Sequence, residues 1–379
     1  MKYKAFEDWY REAEIKHLIL QDANGKLFSP PFATELCKDY STLKYINGDQ
    51  LQLDLGNATS KTNACELIGD DIWFIPYGIW DQVNKVVQIK NGVPIYHTLS
   101  FKGKGQFYSM ATNGSTGFSF PLGYEDTNVG LYINKTVSSI PLPIAGKKLH
   151  MGTVYCNGRY WSMPRGDDPD YNLLLSFNGN DIVSYPIEGI NNAVTRKYSD
   201  IIVVGNTLYA LPFGETEGLN EVVEFDTIHN VYKLHKLNIP DFAKKYNCGV
   251  YVNGKIIGLP YGEDYSNDSN WGVVFDTATK ESYSFDIGLS FGGKYRYRSG
   301  IALDNHAYFF PSGTPSCPIL KISVDGTIVK EKYLGSWLVG RPIIHNNIIK
   351  VIGYNTKTKA QAVLCFNDSL ELLTQIDIA

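Results

Sequence analysis

Two sets of side chains recur at nearly fixed distances from a repeated Pro-x-Gly phrase, and both are of types that bind ligands. The phrase occurs at Pro76, Pro121, Pro164, Pro212, Pro260 and Pro311, with spacings of 45, 43, 48, 48 and 51 residues. The first set is basic: Lys61, Lys104, Lys148, Lys197, Lys245 and Arg296 stand 15 to 17 residues ahead of the proline of their unit, and Lys147, Arg196 and Lys244 add a second cation beside three of them. Cations converging on one place focus potential and attract an anion even on a chain whose formal net charge is −4. Arg296 and Arg298 can each grip a carboxylate or phosphate with two parallel hydrogen bonds. The second set is acidic and aromatic and follows the prolines: Trp80 with Asp81, Tyr124 with Glu125 and Asp126, Asp167 with Asp168 and Asp170, Glu215 with Glu217, and Glu263 with Asp264 and Tyr265. Carboxylates accept bonds from hydroxyls and flat rings cover the C–H face of a sugar, so this set suits a glycan. Mutual pairing of the two sets, or plain solvation, is the competing reading. Candidate catalytic groups are fewer. His150, Tyr198, Tyr246 and Tyr297 lie near the cations and are of the types that move an α-proton beside a neutralised uronate carboxylate.

The elements that must hold these residues follow from the repeat. Unit five shows four strand-length runs: Cys248 to Val252, a tight Asn253-Gly254 turn, Lys255 to Leu259 stopped by Pro260, Trp271 to Phe275, and Ser282 to Asp286. Four short strands in about 46 residues describe a propeller blade. A seventh, degenerate copy places Gly353 where the proline would fall, Leu338 at the cation position and Arg341 three residues on. The sequence therefore predicts an all-β, seven-bladed β-propeller over residues 61–379. In that topology the first strand of each blade is innermost, and the loops before it share a face with those between the second and third strands. The basic set is expected to surround the mouth of a central channel on that face, with the acidic and aromatic loops around it.

The phrase from Lys245 through Gly254-Lys255-Ile256-Ile257-Gly258-Leu259-Pro260-Tyr261, followed by Val273-Val-Phe-Asp-Thr-Ala-Thr and echoed by Val222-Val-Glu-Phe-Asp-Thr, resembles the kelch-like propeller repeats. The resemblance spans roughly residues 62 to 379. It departs from true kelch units in having Pro-x-Gly where they carry a Gly-Gly doublet after the second strand. It implies the fold and leaves the activity open, because propellers host enzymes, lectins and scaffolds alike.

Residues 1–60 differ in character. Phe6, Trp9, Tyr10, Ala13 and His17 are spaced three or four apart, so Lys4 to Leu20 is expected to form an amphipathic helix that caps the propeller edge or attaches to a protein partner. Leu51 to Leu55 alternates like a strand that completes the ring, closing exposed edges. The first twelve residues carry charges where a secretory apolar core would sit, which predicts a cytoplasmic chain, and no apolar run approaches the ~20 residues of a membrane span. The near-neutral balance of 35 basic and 39 acidic residues argues against nucleic acid as a partner. Cys37, Cys65, Cys156, Cys248, Cys317 and Cys365 have neither zinc spacing nor paired motifs, so reduced, mostly buried thiols and no metal or other cofactor are expected.

These readings lead to a recognition propeller without catalysis, binding an acidic or hydroxyl-rich ligand, in the first place a glycan, through Lys104, Lys148, Lys197, Lys245, Arg296, Arg298 and Arg341 together with Trp80, Tyr124, Asp167, Glu215, Glu263 and Tyr265. A glycan-binding chain without a secretory address fits a particle assembled in the cytoplasm, such as a virion. The alternatives are a lyase or hydrolase of acidic polysaccharide and a protein-interaction scaffold within a larger assembly.

Overall fold

The structure is a computed structural model. It describes residues 62–76, 84–90, 93–100, 106–123, 129–144, 146–147, 149–168, 170–262, 270–288, 296–311, 317–339, 342–345, 347–358 and 361–378, with three short strands ahead of residue 62. Every named element among these residues is a strand. None is a helix long and apolar enough to cross a membrane. The chain divides into two compact units, residues 1–186 with 378–379 and residues 187–377.

Among the described residues from 62 onward, seven antiparallel sheets follow one another in chain order, and we call them blades. The first unit holds blades 1 to 3, spanning residues 62–98, 111–141 and 154–186, each of four strands in sequential order. The second holds blades 4 to 6, residues 202–236, 246–286 and 297–332, also four-stranded and sequential. It continues into blade 7 from residue 337, whose five strands include Ile343–His345 as an extra partner of Ile348–Asn355. Blade 5 matches the sequence reading closely: its strands are Tyr246–Val252, Lys255–Pro260, Trp271–Asp276 and Ser282–Asp286. The expected helix over Lys4 to Leu20 is not supported. Ile19 and Leu20 belong to the strand Ile19–Gln21, which pairs with Leu27–Phe28 and Lys44–Ile46. Leu18-Ile19-Leu20 is a short continuous apolar run, which suits a strand as well as a helix and is not decided by helical spacing. The rest of that span and the Leu51 to Leu55 segment lie outside the described residues.

Between consecutive blades of a unit the strands present apolar faces to one another. Cys248, Val250, Ile257 and Val274 of blade 5 pack with Ala307, Phe309, Leu320 and Ile322 of blade 6 in one buried cluster. The innermost strands approach so closely that Gly300 leaves no room for a side chain and Gly249 little. A Cβ on Gly300 would stand 2.4 Å from a Val250 methyl and 3.0 Å from the Tyr308 carbonyl oxygen, and one on Gly249 would meet Ile202 at 2.8 Å.

The two recurring phrases each have a structural cause. In Phe-Asp-Thr, Asp226 and Asp276 accept backbone N–H bonds within their own turns, from Ile228 and His229 and from Ala278 and Thr279. The threonines that follow tie that turn to the hairpin of the first two strands, with Thr227 donating to the Asn206 carbonyl at 2.6 Å and Thr277 to that of Gly254 at 2.6 Å.

Pro-x-Gly is the joint between blades. The residue after proline donates its N–H to the residue at the entrance of its own inner strand, Leu122 to Gln106, Phe213 to Lys197 and Tyr261 to Lys245, at 2.7 to 2.8 Å. The carbonyl of that same residue accepts from the next blade's entrance: Leu149 to Leu122, Lys245 to Phe213 and Arg296 to Tyr261, at 2.8 to 3.0 Å. The glycine ends the joint with positive φ, +63° at Gly123, +57° at Gly166, +63° at Gly214 and +60° at Gly262, a conformation that costs other residues about 1–2 kcal/mol.

Candidate functional site

The strand entrances carry the basic set, and there the structure corrects the expectation. Counting fifteen residues ahead of each proline gives Gln106, Leu149, Lys197, Lys245 and Arg296 in blades 2 to 6, and all five are fully buried. These cations therefore do not project into a solvent-filled mouth. Lys245 donates to Asp241 Oδ1 at 2.9 Å and to the Phe242 carbonyl, with its Nζ over the Phe242 ring, and burial lowers its pKa from the usual lysine range. Arg296 donates to Asn270 Oδ1 at 2.9 Å, and Asn270 directly precedes the third strand of blade 5. Each of these two cations reaches back to polar groups on the chain that precedes its own blade and acts as a strut between blades. The recurrence follows from that packing: a long polar stem fills the space at the joint and its head is met by a fixed partner. Lys104 and Lys148 stand one or two residues off this register and, with Arg341, Trp80, Tyr124, Glu263 and Tyr265, lie outside the described residues.

The proposed catalytic residues form a second register, fourteen ahead of the proline: Phe107, His150, Tyr198, Tyr246 and Tyr297. All five are buried. The tyrosines donate to backbone carbonyls at the start of the third strand of their own blade, Tyr198 to Glu221 at 3.2 Å, Tyr246 to Trp271 at 3.3 Å and Tyr297 to Pro318 at 3.1 Å. Burial raises the pKa of all three, so they remain protonated donors. His150 is held at both nitrogens. Nδ1 lies 3.0 Å from the Met163 carbonyl, which can only accept, so Nδ1 carries the proton and Nε2 accepts from Tyr171 Oη at 2.6 Å. Burial pushes this imidazole down to about 3. In each case the group that could have moved a substrate proton is committed to closing its own blade.

In the first unit Lys147 is exposed, and in the second unit three cations around the same joints reach solvent. Arg196 and Lys244, each directly ahead of a buried lysine, are partly exposed, and both take positive φ, at 50° and 51°. They converge on one carboxylate: Glu215 Oε2 is 2.8 Å from Arg196 Nη1 and Oε1 is 3.5 Å from Lys244 Nζ. Mutual pairing of the basic and acidic sets is thus realised at Glu215. Asp167, its counterpart in blade 3, is partly exposed and its N–H donates to the Lys147 carbonyl at 2.9 Å, as that of Glu215 does to Thr195. The third cation is Arg298. Arg296, directly ahead of the inner strand, is buried, whereas Arg298, two residues on at the irregular start of that strand, is exposed, and its guanidinium donates to Tyr261 Oη at 2.7 and 3.2 Å. Its Cζ lies 5.4 Å from the Tyr261 ring centroid, and that ring is 5.7 Å from Phe213. Phe213 and Tyr261 are the central residues of two successive Pro-x-Gly joints, so two buried, mutually tilted rings and a cation follow one another across blades 4, 5 and 6. The sequence pattern marked Arg298 and Glu215 but not this arrangement, because the residue between proline and glycine varies from copy to copy.

Among the described residues no cluster of His, Cys, Asp or Glu is arranged to hold a metal ion. Cys156, Cys248, Cys317 and Cys365 are buried.

Sequential four-stranded blades joined by short links place this chain in the β-propeller class. No family model and no curated protein matches the sequence. Solved structures resemble it in fold. The apo form of AztD from Citrobacter koseri is 13% identical, with 96% of this chain and 94% of that one covered at a TM-score of 0.51. The WD40 β-propeller domain of Doa1 is 11% identical over 82% of this chain and 94% of that one, at 0.46. YCF48 bound to a D1 peptide is 9% identical over 72% and 81%, at 0.47.

Proposed function

We propose that this protein is a recognition propeller that binds an acidic, hydroxyl-rich ligand, an acidic glycan, on the side of the blades where strand entrances meet the Pro-x-Gly joints. The observation that carries the reading is the set of solvent-reaching cations Arg196, Lys244 and Arg298 along consecutive entrances of blades 4 to 6, with Glu215 the carboxylate between the first two. The bond from Arg298 to the Tyr261 hydroxyl supports it, since a guanidinium held in this way is oriented before a ligand arrives. Recognition is favoured over lyase chemistry because His150, Tyr198, Tyr246 and Tyr297 are buried and bonded within the fold.

A ligand that binds only the folded state raises the unfolding midpoint, by about 2.7 kcal/mol of stability at a hundred times Kd. Thermal unfolding with oligogalacturonate, a neutral maltooligosaccharide and inorganic phosphate at 50 and 300 mM salt tests the reading. A salt-sensitive rise with the uronate alone is expected. A rise with the neutral sugar alone, or with none of the three, overturns it.

A further inference from the structure

Arg196 and Lys244 occupy one register in consecutive blades, and both hold the left-handed backbone, at φ of 50° and 51°, that glycine adopts freely. A residue with a side chain costs backbone energy at such a position, and strain of this kind collects at binding sites. Their backbones are fastened at a single point. Gly214 donates its N–H to the Arg196 carbonyl at 3.1 Å, and its own carbonyl accepts from Lys244 at 2.7 Å. Glu215 follows directly, with its N–H on the Thr195 carbonyl at 2.9 Å. Main-chain bonds of one joint thus bring two cations, from the entrances of blades 4 and 5, to one carboxylate.

That carboxylate is gripped at both oxygens, Oε2 at 2.8 Å by Arg196 Nη1 and Oε1 at 3.5 Å by Lys244 Nζ. The three side chains are 22, 14 and 27% exposed for Arg196, Lys244 and Glu215. Ion pairs that solvent reaches add little to stability, so folding energy does not account for two strained cations held at one place. An anion site does. A carboxylate with each oxygen on a separate cation is the arrangement in which an acidic sugar is held, and Glu215 stands far enough in solvent to leave without being buried elsewhere.

We infer that Arg196 and Lys244 form a carboxylate subsite for one residue of a uronate oligomer, and that Glu215 holds the place of that carboxylate in the free protein. The inference rests on the acidic-glycan reading and adds a selecting residue to it. An incoming carboxylate exchanges for Glu215, one anion for another at the same cations, whereas a neutral sugar has no charge with which to displace it. Arg298 is left to another carboxylate of the same oligomer.

The test is calorimetric titration of the full chain with trigalacturonate at 50 mM salt. The proteins compared are the native chain, Glu215→Gln, Arg196→Gly, Lys244→Gln, the double variant Glu215→Gln with Arg196→Gly, and Glu331→Gln, which removes an acid from the outer strand of blade 6. Expected are a gain of about fivefold in affinity for Glu215→Gln, losses of about fivefold for Arg196→Gly and Lys244→Gln, and a change below about twofold for Glu331→Gln. Glycine accepts the left-handed backbone, so Arg196→Gly should keep the native urea midpoint, and its loss of affinity then reports the missing cation. Because Glu215 acts through the cations it covers, removing it in the Arg196→Gly background should gain less than about twofold. A full gain in that background, or the same gain from Glu331→Gln, overturns the inference, and so does native binding that none of the variants alters; in each case the glycan reading stands. Absence of binding by the native protein and by Glu215→Gln alike overturns both.

Discussion

At the scale of single residues, the polar groups with the best chemistry are those most fully used by the fold. His150 has a testable consequence. Its imidazole is neutral in the folded chain and held down to about 3, whereas an unfolded histidine protonates near its ordinary value of about 6.5. The unfolded state therefore binds more protons between these values, so the stability is fully present above about 6.5 and is lost as pH falls toward 3. At pH 5 the loss amounts to about 2 kcal/mol. Urea midpoints from pH 7 to pH 4 should show this slope in the native protein. The double variant His150→Phe with Tyr171→Phe, which copies the phenylalanine at the same register in blade 2 and leaves no lone hydroxyl, should flatten it. A slope that survives the double variant assigns the acid sensitivity elsewhere. Lys245 makes the second case. Its head group bonds Asp241 and the Phe242 carbonyl inside the joint, so Lys245→Ala should lower stability by about 3 kcal/mol, by the cavity it leaves and by the unbonded Phe242 carbonyl. Trigalacturonate affinity of the folded fraction should stay within twofold. A large affinity loss at unchanged stability would return Lys245 to the binding surface.

At the scale of elements, the Pro-x-Gly joint is where sequence pattern and structure correspond most directly. Proline has no N–H to leave unbonded at the end of the second strand, the next residue bonds two blades, and glycine turns the chain away at positive φ. A Cβ on Gly214 would stand 2.9 Å from the Thr216 carbonyl oxygen, in addition to the cost of its φ of +63°. Gly214→Ala is expected to cost about 2 kcal/mol, read as a shift of the urea midpoint at constant slope. Gly69→Ala has a similar φ of +60° but open space around the added carbon, so it should cost about half as much. The blades were legible because period-2 runs, turn residues and the prolines agreed, as in blade 5, where all four strands fall where the pattern puts them. The cations were legible as a register but not in their exposure. Spacing from proline gives the position along a strand. Whether Lys245 and Arg296 meet solvent or the joint depends on partners outside the repeated phrase, Asp241 and Phe242 for the lysine and Asn270 for the arginine.

At the scale of the whole molecule, binding an acid on a chain of net charge −4 is a contest between a local and a global field. The Debye length is about 8 Å at 0.15 M salt, so the diffuse negative charge of the molecule is largely screened there, whereas an ion pair formed at Arg298 beside Tyr261 is much less so. Added salt therefore weakens the local pair and relieves the global repulsion at the same time. The two effects oppose, and the salt dependence of uronate affinity should be shallow for a charged ligand. With one guanidinium meeting one carboxylate, Kd for a single-uronate ligand is expected to rise by less than about sixfold between 50 and 300 mM salt, because one ion pair gives at most a proportional dependence and the net charge reduces it. The association rate should carry little of the change, since a negative molecule does not steer an anion from a distance, and most of it should appear in dissociation. Stopped-flow titration across that salt range measures both rates. An association rate that falls tenfold would mean that long-range attraction guides the ligand. The recognition surface would then be a broad basic field, and a single arginine held by a tyrosine hydroxyl could not account for it.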